Sequence, residues 1–215
     1  VMSTRIYGKD VDMSIAREAL KSEMKPLGQR GTSEIFKRKM KTLFRFSDVN
    51  QDGKLTWDDF EVASREIVKF GGLTKEEADE FKKYQRMKWD FFFDLKGVNS
   101  DQDFLTEDQY LTAMAEMINI PEVEDEGNYD EYVVPFFFKA LDLNGDGKIS
   151  MKEYIKLFQA HGVPEREAMK AFKSLDVNGD GEVSFNEFCA ANLEYMFCEV
   201  EDKPCKEMFG PLVQK

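Results

Sequence analysis

Apolar residues recur at intervals of three and four along most of the chain, which is the spacing of one face of an α-helix. Short polar segments rich in Asp, Asn and Gly separate these stretches. The pattern therefore predicts repeated helix–loop–helix units. The residues that define the predicted helical faces are Met40, Leu43 and Phe44; Phe60, Ala63 and Ile67; Val134, Phe137, Phe138 and Leu141; Tyr154, Leu157 and Phe158; Ala168, Met169, Phe172 and Leu175; and Phe188, Ala191 and Tyr195.

Three polar segments share one arrangement of oxygen-bearing residues over twelve positions; we name 48–59 loop 1, 142–153 loop 3 and 176–187 loop 4. Acids or amides stand at positions 1, 3 and 5, a hydroxyl at 9 and a carboxylate at 12, while position 7 offers its backbone carbonyl. Glycine at position 6 permits a sharp turn. Calcium prefers such oxygen ligands, so each loop is predicted to bind one Ca²⁺. The predicted ligands are Asp48, Asn50, Asp52, Lys54, Thr56 and Asp59; Asp142, Asn144, Asp146, Lys148, Ser150 and Glu153; and Asp176, Asn178, Asp180, Glu182, Ser184 and Glu187.

Position 12 distinguishes loop 1 from the other two loops. Glu153 and Glu187 are long enough to bind an ion through both carboxylate oxygens, whereas Asp59 is one methylene shorter. We expect Asp59 to bind through one oxygen, or loop 1 to be drawn tighter or to hold an extra water. Lower coordination favours Mg²⁺ relative to Ca²⁺, so loop 1 is predicted to be a mixed Ca²⁺/Mg²⁺ site.

A fourth unit is predicted around residues 98–109, which we name loop 2. Its end, Leu105-Thr106-Glu107-Asp108-Gln109-Tyr110, resembles the end of loop 1, but Val98 stands at position 1 and Gln109 at position 12. Loop 2 is therefore predicted to be metal-free and to serve as a structural partner of loop 1. We expect antiparallel contacts between Leu55 and Leu105, and between Ile149 and Val183, because an unpaired unit leaves a strand edge in water.

Four regions follow from this division: an extension at 1–32, a first pair of units at 33–118, an acidic linker at 119–135 and a second pair at 136–215. Proline and glycine interrupt the linker, so no continuous helix is expected there. A short amphipathic helix is predicted within 10–25. The first helix of the first pair begins after Thr32 or Ser33, and its many basic residues predict a solvated outer face, with a target- or membrane-facing surface as the alternative. These basic residues are Lys37, Arg38, Lys39, Lys41 and Arg45.

The charge and cysteine content narrow the functional classes. A net charge of −12 and a pI of about 4.7 argue against nucleic acid as a partner. No apolar stretch is long enough for a membrane helix, and the first residues lack the apolar core of a signal peptide. Cys189, Cys198 and Cys205 are expected to be reduced thiols without zinc. A cytoplasmic monomer is expected.

The order of loops and the tail together resemble the invertebrate sarcoplasmic calcium-binding proteins. One complete and one degenerate unit precede two complete ones, and the tail Phe209-Gly210-Pro211-Leu212-Val213 looks like the ending of that family. The resemblance covers roughly residues 33–213. It implies an all-α fold of four EF-hands in two closely packed pairs, with short two-stranded contacts between paired loops, and a cytosolic Ca²⁺/Mg²⁺ buffer.

Relatives of that family leave two other functions open. Calexcitin-like proteins are sensors, and coelenterazine-binding proteins and aequorin-type photoproteins hold an apolar luciferin. Light emission is not expected, because Asn192 stands where a photoprotein places its key histidine. A luciferin carrier remains an alternative, since many aromatic residues can either line or fill a cavity. Catalysis is not expected, because no nucleophile–base pair is evident and the single histidine, His161, is interpreted as a cation at a helix C-terminus.

Overall fold

The computed structural model describes residues 20–69, 75–76, 79, 82–83, 86, 89–90, 103–121 and 134–214. The extension before residue 20, the start of loop 2 and most of the predicted linker lie outside these ranges, as do the side chains of Ala63 and Ile67. Among the described residues, no helix has both the length and the apolar character needed to cross a membrane.

Seven α-helices and four three-residue strands are described, so the expected all-α fold with short strands is confirmed. Each strand lies immediately before a helix. In chain order the elements are α1 (Glu34–Ser47), β1 (Lys54–Thr56), α2 (Trp57–Lys69), β2 (Phe104–Thr106), α3 (Glu107–Met117), α4 (Val134–Leu141), β3 (Lys148–Ser150), α5 (Met151–Ala160), α6 (Glu165–Leu175), β4 (Glu182–Ser184) and α7 (Phe185–Phe197), followed by a 3₁₀ helix at Pro204–Glu207.

The strands join the units in pairs. β1 is antiparallel to β2, with Leu55 opposite Leu105, and β3 is antiparallel to β4, with Ile149 opposite Val183. All four of these aliphatic side chains are completely buried. Both predicted pairings are therefore confirmed, and they place loop 1 beside loop 2 and loop 3 beside loop 4.

Side-chain caps start four of the described helices. Ser33 caps α1 by accepting a hydrogen bond from the backbone N–H of Phe36. Thr106, Ser150 and Ser184 cap α3, α5 and α7: each hydroxyl accepts from the backbone N–H of the residue three positions later, and each cap's own backbone N–H donates to that residue's side chain. Such a capping box satisfies donors that the first helical turn leaves unpaired, so each strand passes directly into its helix.

The described residues of the predicted helical faces lie in the core or pack against it, with one exception. Met169 is 36% exposed, because the buried face of α6 consists of Ala168, Ala171, Phe172 and Leu175. Helix α4 begins at Val134, the first residue of its predicted apolar face. Its second residue is a proline, which the first turn of a helix accommodates because no N–H bond is needed there.

Lys39 corrects the prediction that the basic residues of α1 form a solvated face. Its side chain is only 2% exposed, since Lys39 lies one turn after Ile35 on the buried side of the helix. The ammonium group donates hydrogen bonds to the carbonyl oxygens of Tyr195 at 2.5 Å and Cys198 at 2.6 Å, and the Tyr195 hydroxyl donates to the Lys39 carbonyl at 2.6 Å. Helix α1 of the first pair is thus bound to the end of α7.

Residues 20–32, for which the sequence indicated no role, pack onto both pairs. The Glu199 carboxylate accepts hydrogen bonds from the backbone N–H groups of Gly31 and Ser33 at 2.8 and 3.1 Å, and pairs with Lys25 at 2.8 Å. Gly31 has a φ of +81°, and a β-carbon there would lie 2.6 Å from that of Ala115 in α3. Only glycine therefore fits this approach of the segment to α3.

The C-terminal tail also connects the first pair to the second pair. The backbone N–H of Val213 donates to the Thr42 hydroxyl at 3.1 Å, and its carbonyl accepts from the Arg38 guanidinium at 2.9 Å. The Tyr154 hydroxyl donates to the Met208 carbonyl at 2.6 Å. The tail therefore connects α1 of the first pair to α5 of the second.

Candidate metal centre

The carboxylate at position 1 of loop 3 organises the turn around itself. Asp142 accepts hydrogen bonds from the backbone N–H groups of Gly145 at 2.8 Å, Asp146 at 3.1 Å and Gly147 at 2.9 Å. Both glycines adopt positive φ, at 72° and 84°, a conformation that costs glycine little. The loop is thereby curled around the Asp142 side chain.

Loop 4 repeats this arrangement residue for residue. Asp176 accepts from Gly179 at 2.9 Å, Asp180 at 3.1 Å and Gly181 at 3.0 Å. In loop 1 the equivalent Asp48 accepts from Asp52 at 3.3 Å and from Gly53 at 2.9 Å.

Positions 3 and 5 are also held by backbone donors in all three loops. The amide oxygen at position 3 accepts from the N–H of position 5, and the carboxylate at position 5 accepts from the N–H of position 7. The distances are 2.9 and 2.9 Å for Asn50 and Asp52, 3.0 and 2.9 Å for Asn144 and Asp146, and 2.8 and 3.0 Å for Asn178 and Asp180. The side-chain oxygens of each loop are therefore oriented by the loop itself.

The carboxylate at position 12 folds back across each loop. One oxygen of Glu153 accepts from the backbone N–H groups of Leu143 at 2.9 Å and Asn144 at 3.2 Å. The other accepts from the N–H and hydroxyl of Ser150 at 2.8 and 2.7 Å. Glu187 makes the corresponding bonds in loop 4, at 3.1 and 3.4 Å to Val177 and Asn178 and at 2.9 and 2.7 Å to Ser184.

Asp59 makes the corresponding contacts in loop 1 with a shorter reach. One oxygen accepts from the N–H and hydroxyl of Thr56 at 2.8 and 2.7 Å, while the other meets the N–H of Asn50 at 3.4 Å. The start of loop 1 is therefore held to position 12 by a single long contact, whereas Glu153 holds the start of loop 3 at two shorter distances.

Burial and mutual repulsion disfavour the ionised form of the buried carboxylates in the loops, and a bound cation would compensate for both effects. Asp48 is 5% exposed and Asp59 and Asp142 are 2% exposed. Burial raises the pKa of Asp48, with repulsion from Asp59 adding to the increase and the Gly53 N–H opposing it. Burial likewise raises the pKa of Asp142, against hydrogen bonds from Gly147 and other backbone groups. A divalent cation would favour the ionised carboxylates.

The donor set in each loop fits a hard cation. It consists of carboxylate, amide, hydroxyl and backbone carbonyl oxygens, which Ca²⁺ and Mg²⁺ prefer. Within the described ranges, no three His, Cys, Asp or Glu side chains form a compact metal-binding group. The candidate sites therefore depend on neutral oxygens as well as carboxylates. All three cysteines are buried, and none of them forms a disulfide among the described residues; the reduced state remains a prediction.

Loop 2 keeps the structural residues of its partner. Gln109 at position 12 accepts hydrogen bonds from the N–H and hydroxyl of Thr106 at 2.9 and 3.1 Å, as Asp59 does from Thr56. The amide thus forms the capping box of α3 without supplying a carboxylate. Val98 and Gln102 lie outside the described residues, so the metal-free state of loop 2 stays a prediction.

His161 occupies the C-cap of α5, as the sequence indicated, but it is not a cation at neutral pH. Burial lowers its pKa to about 4, although a hydrogen bond with the Phe46 carbonyl opposes this change. Sequence spacing alone gave no signal of this burial, because the partner ring lies in the first pair.

Comparison with known proteins agrees with this geometry. The family model of the EF-hand domain pair matches residues 37–159 and 131–191. A sarcoplasmic calcium-binding protein of Hediste diversicolor is 36% identical over 181 residues, covering 84% of this chain and 100% of the relative. Sarcoplasmic calcium-binding proteins I, III and IV of Branchiostoma lanceolatum are 32% identical over 137 residues, covering 60% of this chain and 73% of the relative.

Among solved structures, the Ca-loaded apo form of a coelenterazine-binding protein from Renilla muelleri has a similar fold. Its TM-score is 0.63 at 23% identity, covering 84% of this chain and 99% of that one. At this identity the likeness concerns the fold alone. The loops, the paired strands and the relatives together show that the chain is a calcium-binding EF-hand protein and belongs to the sarcoplasmic calcium-binding protein family.

Proposed function

We propose that the protein is a cytoplasmic Ca²⁺/Mg²⁺ buffer that holds three ions, one in each of loops 1, 3 and 4. The observation that carries this proposal is the orientation of the ligand oxygens at positions 1, 3, 5 and 12 by hydrogen bonds within each loop. A loop that is ordered in this way needs little rearrangement to bind an ion. The residues proposed as ligands are the eighteen positions named from the sequence.

Contacts between the two pairs favour a buffer over a sensor. A sensor opens its paired helices and exposes a methionine-rich groove. Here α1 is bound to α7 through Lys39 and Tyr195, and to the tail through Arg38 and Val213. Opening would break these contacts, and Met169 is the only methionine among the large exposed apolar residues in the described part of the chain.

Loop 1 is proposed to be the site with the greatest relative preference for Mg²⁺. The carboxylate of Asp59 reaches the start of the loop only through the 3.4 Å contact with Asn50. A shorter ligand at position 12 is expected to leave fewer protein oxygens around the ion, and Mg²⁺ accepts six-fold coordination with retained water.

Calorimetric titration with Ca²⁺ tests the ion count directly. The unmodified chain should bind three ions, and Glu153→Gln and Glu187→Gln should each remove one. Lys152→Gln, at an exposed neighbouring position, is the matched control and should leave the count at three. A count below three in the unmodified chain would contradict the proposal.

Binding of a hydrophobic dye separates buffer from sensor. In saturating Mg²⁺, addition of Ca²⁺ should change dye fluorescence little if the pairs remain closed. A large increase that requires Ca²⁺ would contradict the buffer and support a sensor. The protein is also proposed to be a monomer without catalytic activity. Sedimentation equilibrium with and without Ca²⁺ tests whether it is a monomer.

A calcium-regulated carrier of an apolar small molecule is the second candidate, and the fold likeness to a coelenterazine-binding protein favours it. Several of the aromatic residues considered as cavity lining are instead packed against one another. Phe138 contacts Phe185 and Phe188 with ring centroids 5.0 and 5.7 Å apart, and Tyr195 contacts Phe209 at 5.0 Å. Retention of coelenterazine through gel filtration would move the carrier to first place; loss of the compound would remove it.

A further inference from the structure

The turn between α5 and α6 contacts the first pair immediately before loop 1. The His161 ring stacks on that of Phe46, with centroids 4.0 Å apart and an interplanar angle of 15°. Its Nδ1 atom lies 2.7 Å from the Phe46 carbonyl oxygen. A carbonyl oxygen can only accept, so Nδ1 carries the proton and donates. Because the last carbonyls of a helix have no partner inside it, His161 satisfies the end of α1 two residues before Asp48.

The same turn also lies near Gln51, which follows the first two predicted ligands of loop 1. Gln51 at position 4 has a φ of +59°, whereas loops 3 and 4 have glycine at this position. A left-handed conformation costs a residue with a side chain about 1 kcal/mol. The amide nitrogen of Gln51 lies 3.5 Å from the place that a β-carbon on Gly162 would occupy. Gln51 is exposed, and its side-chain amide therefore lies beside the turn at Gly162.

These contacts bracket the beginning of loop 1. Phe46 and Gln51 flank Asp48 and Asn50; Phe46 contacts His161, and the Gln51 amide lies near Gly162. The turn joins α5, which follows loop 3, to α6, which leads into Asp176 of loop 4. An ion in either loop fixes one end of a helix whose other end is this turn.

We propose that His161 and Gln51 couple the pairs, so that ions in loops 3 and 4 strengthen ion binding in loop 1. They act as positioning residues, since neither supplies a predicted ligand. Ions in the second pair restrict α5 and α6, and the turn then holds the end of α1 and the start of loop 1 in place. Loop 1 loses less conformational freedom on binding its own ion, which is a source of positive coupling. This inference rests on the proposed binding of ions in all three loops.

The tryptophans allow loop 1 to be followed separately. The chain has only two. Trp57 stacks on Phe60 with centroids 6.2 Å apart, and Trp89 meets Phe60 at 5.4 Å. Phe60 directly follows the predicted ligand Asp59, so tryptophan fluorescence reports the first pair. The coupling factor is the loop 1 Ca²⁺ affinity of the chain with loops 3 and 4 intact, divided by that of the chain carrying both Glu153→Gln and Glu187→Gln.

Three variants, each made in both backgrounds, test the contact. The unmodified residues should give a coupling factor of roughly fivefold or more. His161→Ala should bring it close to one, and Gln51→Gly, which also relaxes the backbone, should lower it by about twofold or more. Gln159→Ala, at an exposed position in the last turn of α5, is the control and should leave it unchanged. A variant that only destabilised the protein would change the loop 1 Ca²⁺ affinity in both backgrounds and would not bring the coupling factor to one.

The outcomes are distinct. A factor near one in the unmodified chain, or an unchanged factor in both His161→Ala and Gln51→Gly, overturns the coupling while leaving three ion sites intact. If His161→Ala fails to fold, the Gln51→Gly ratio decides. A calorimetric count showing no ion in loop 1 overturns the three-site buffer and the coupling together.

Discussion

Replacement of Lys39 by methionine should destabilise the protein in a pH-dependent manner. At pH 7 the change leaves the carbonyl oxygens of Tyr195 and Cys198 without their charged donor. Each such loss costs about 1–3 kcal/mol, and removal of a buried charge offsets part of it. We expect the free energy of unfolding to fall by about 2–4 kcal/mol, whereas Lys37→Met, on the exposed side of the same helix, should change it by at most about 0.5 kcal/mol.

The pH dependence follows from burial of the ammonium group. Burial lowers the pKa of Lys39 from 10.5 to about 8. Above pH 8 the folded protein has released this proton while the unfolded chain still binds it, so rising pH favours folding. The stability advantage of the unmodified chain over Lys39→Met should therefore increase by about 1.5 kcal/mol between pH 8 and 9.5, part of the roughly 3 kcal/mol that the whole pKa difference represents.

Urea unfolding followed by circular dichroism, at fixed free Ca²⁺ and at pH 7, 8 and 9.5, measures both effects. Comparing the two chains cancels the contribution of Tyr110, whose pKa is raised by burial alone. A difference in unfolding free energy that stays constant from pH 8 to 9.5 would refute the buried, proton-releasing Lys39. A difference that decreases would show that the folded state instead favours the ammonium.

Asp59→Glu should raise the preference of loop 1 for Ca²⁺ over Mg²⁺ by about tenfold, the equivalent of ~1.4 kcal/mol, and unchanged selectivity in competitive titrations would contradict the role given to its short side chain. Gly31→Ala should lower the free energy of unfolding by about 2–4 kcal/mol through backbone strain and overpacking, while Gly28→Ala, with a similar φ and open space around it, should cost only about 1 kcal/mol; equal effects in thermal unfolding would exclude the close approach as the cause. Glu199→Gln should cost about 1–3 kcal/mol at pH 7 and Glu201→Gln about 0.5 kcal/mol or less. Burial by itself raises the pKa of Glu199, but hydrogen bonds from Lys25 and neighbouring groups outweigh burial and lower the pKa. The destabilisation caused by Glu199→Gln should therefore shrink as pH falls through the carboxyl range. A destabilisation that grew instead would contradict the stabilising role of the Glu199 carboxylate.

The loops, their pairing and the helical faces could be predicted because they depend on short-range patterns. Twelve-residue spacing identifies loops 1, 3 and 4, and the aliphatic residue at position 8 identifies the strand partner. The local bonds of Glu153 to Ser150 follow from the same spacing as a capping box. These features need no knowledge of how distant parts of the chain meet.

The positions of Lys39, His161 and Glu199 could not be predicted in this way. Each is a polar residue whose partner lies more than a hundred residues away in the chain, so its burial depends on the contact between the pairs. For Lys39 a signal was present, since it falls on the same face as Ile35 and Phe36, but the positive charge outweighed that spacing in the prediction. For Glu199, nothing in the sequence indicated that a carboxylate would hold the segment before α1.

In the β1–β2 pair, the residues that pair the strands and cap the helix differ from the residues that would bind an ion. Leu105 pairs with Leu55, and Thr106 and Gln109 form the capping box of α3; none of these three side chains of loop 2 carries a negative charge. Mutations can therefore erase the ligands of one hand during evolution without depriving its neighbour of support. Such erosion would lower the ion capacity of the protein by one and leave its architecture intact.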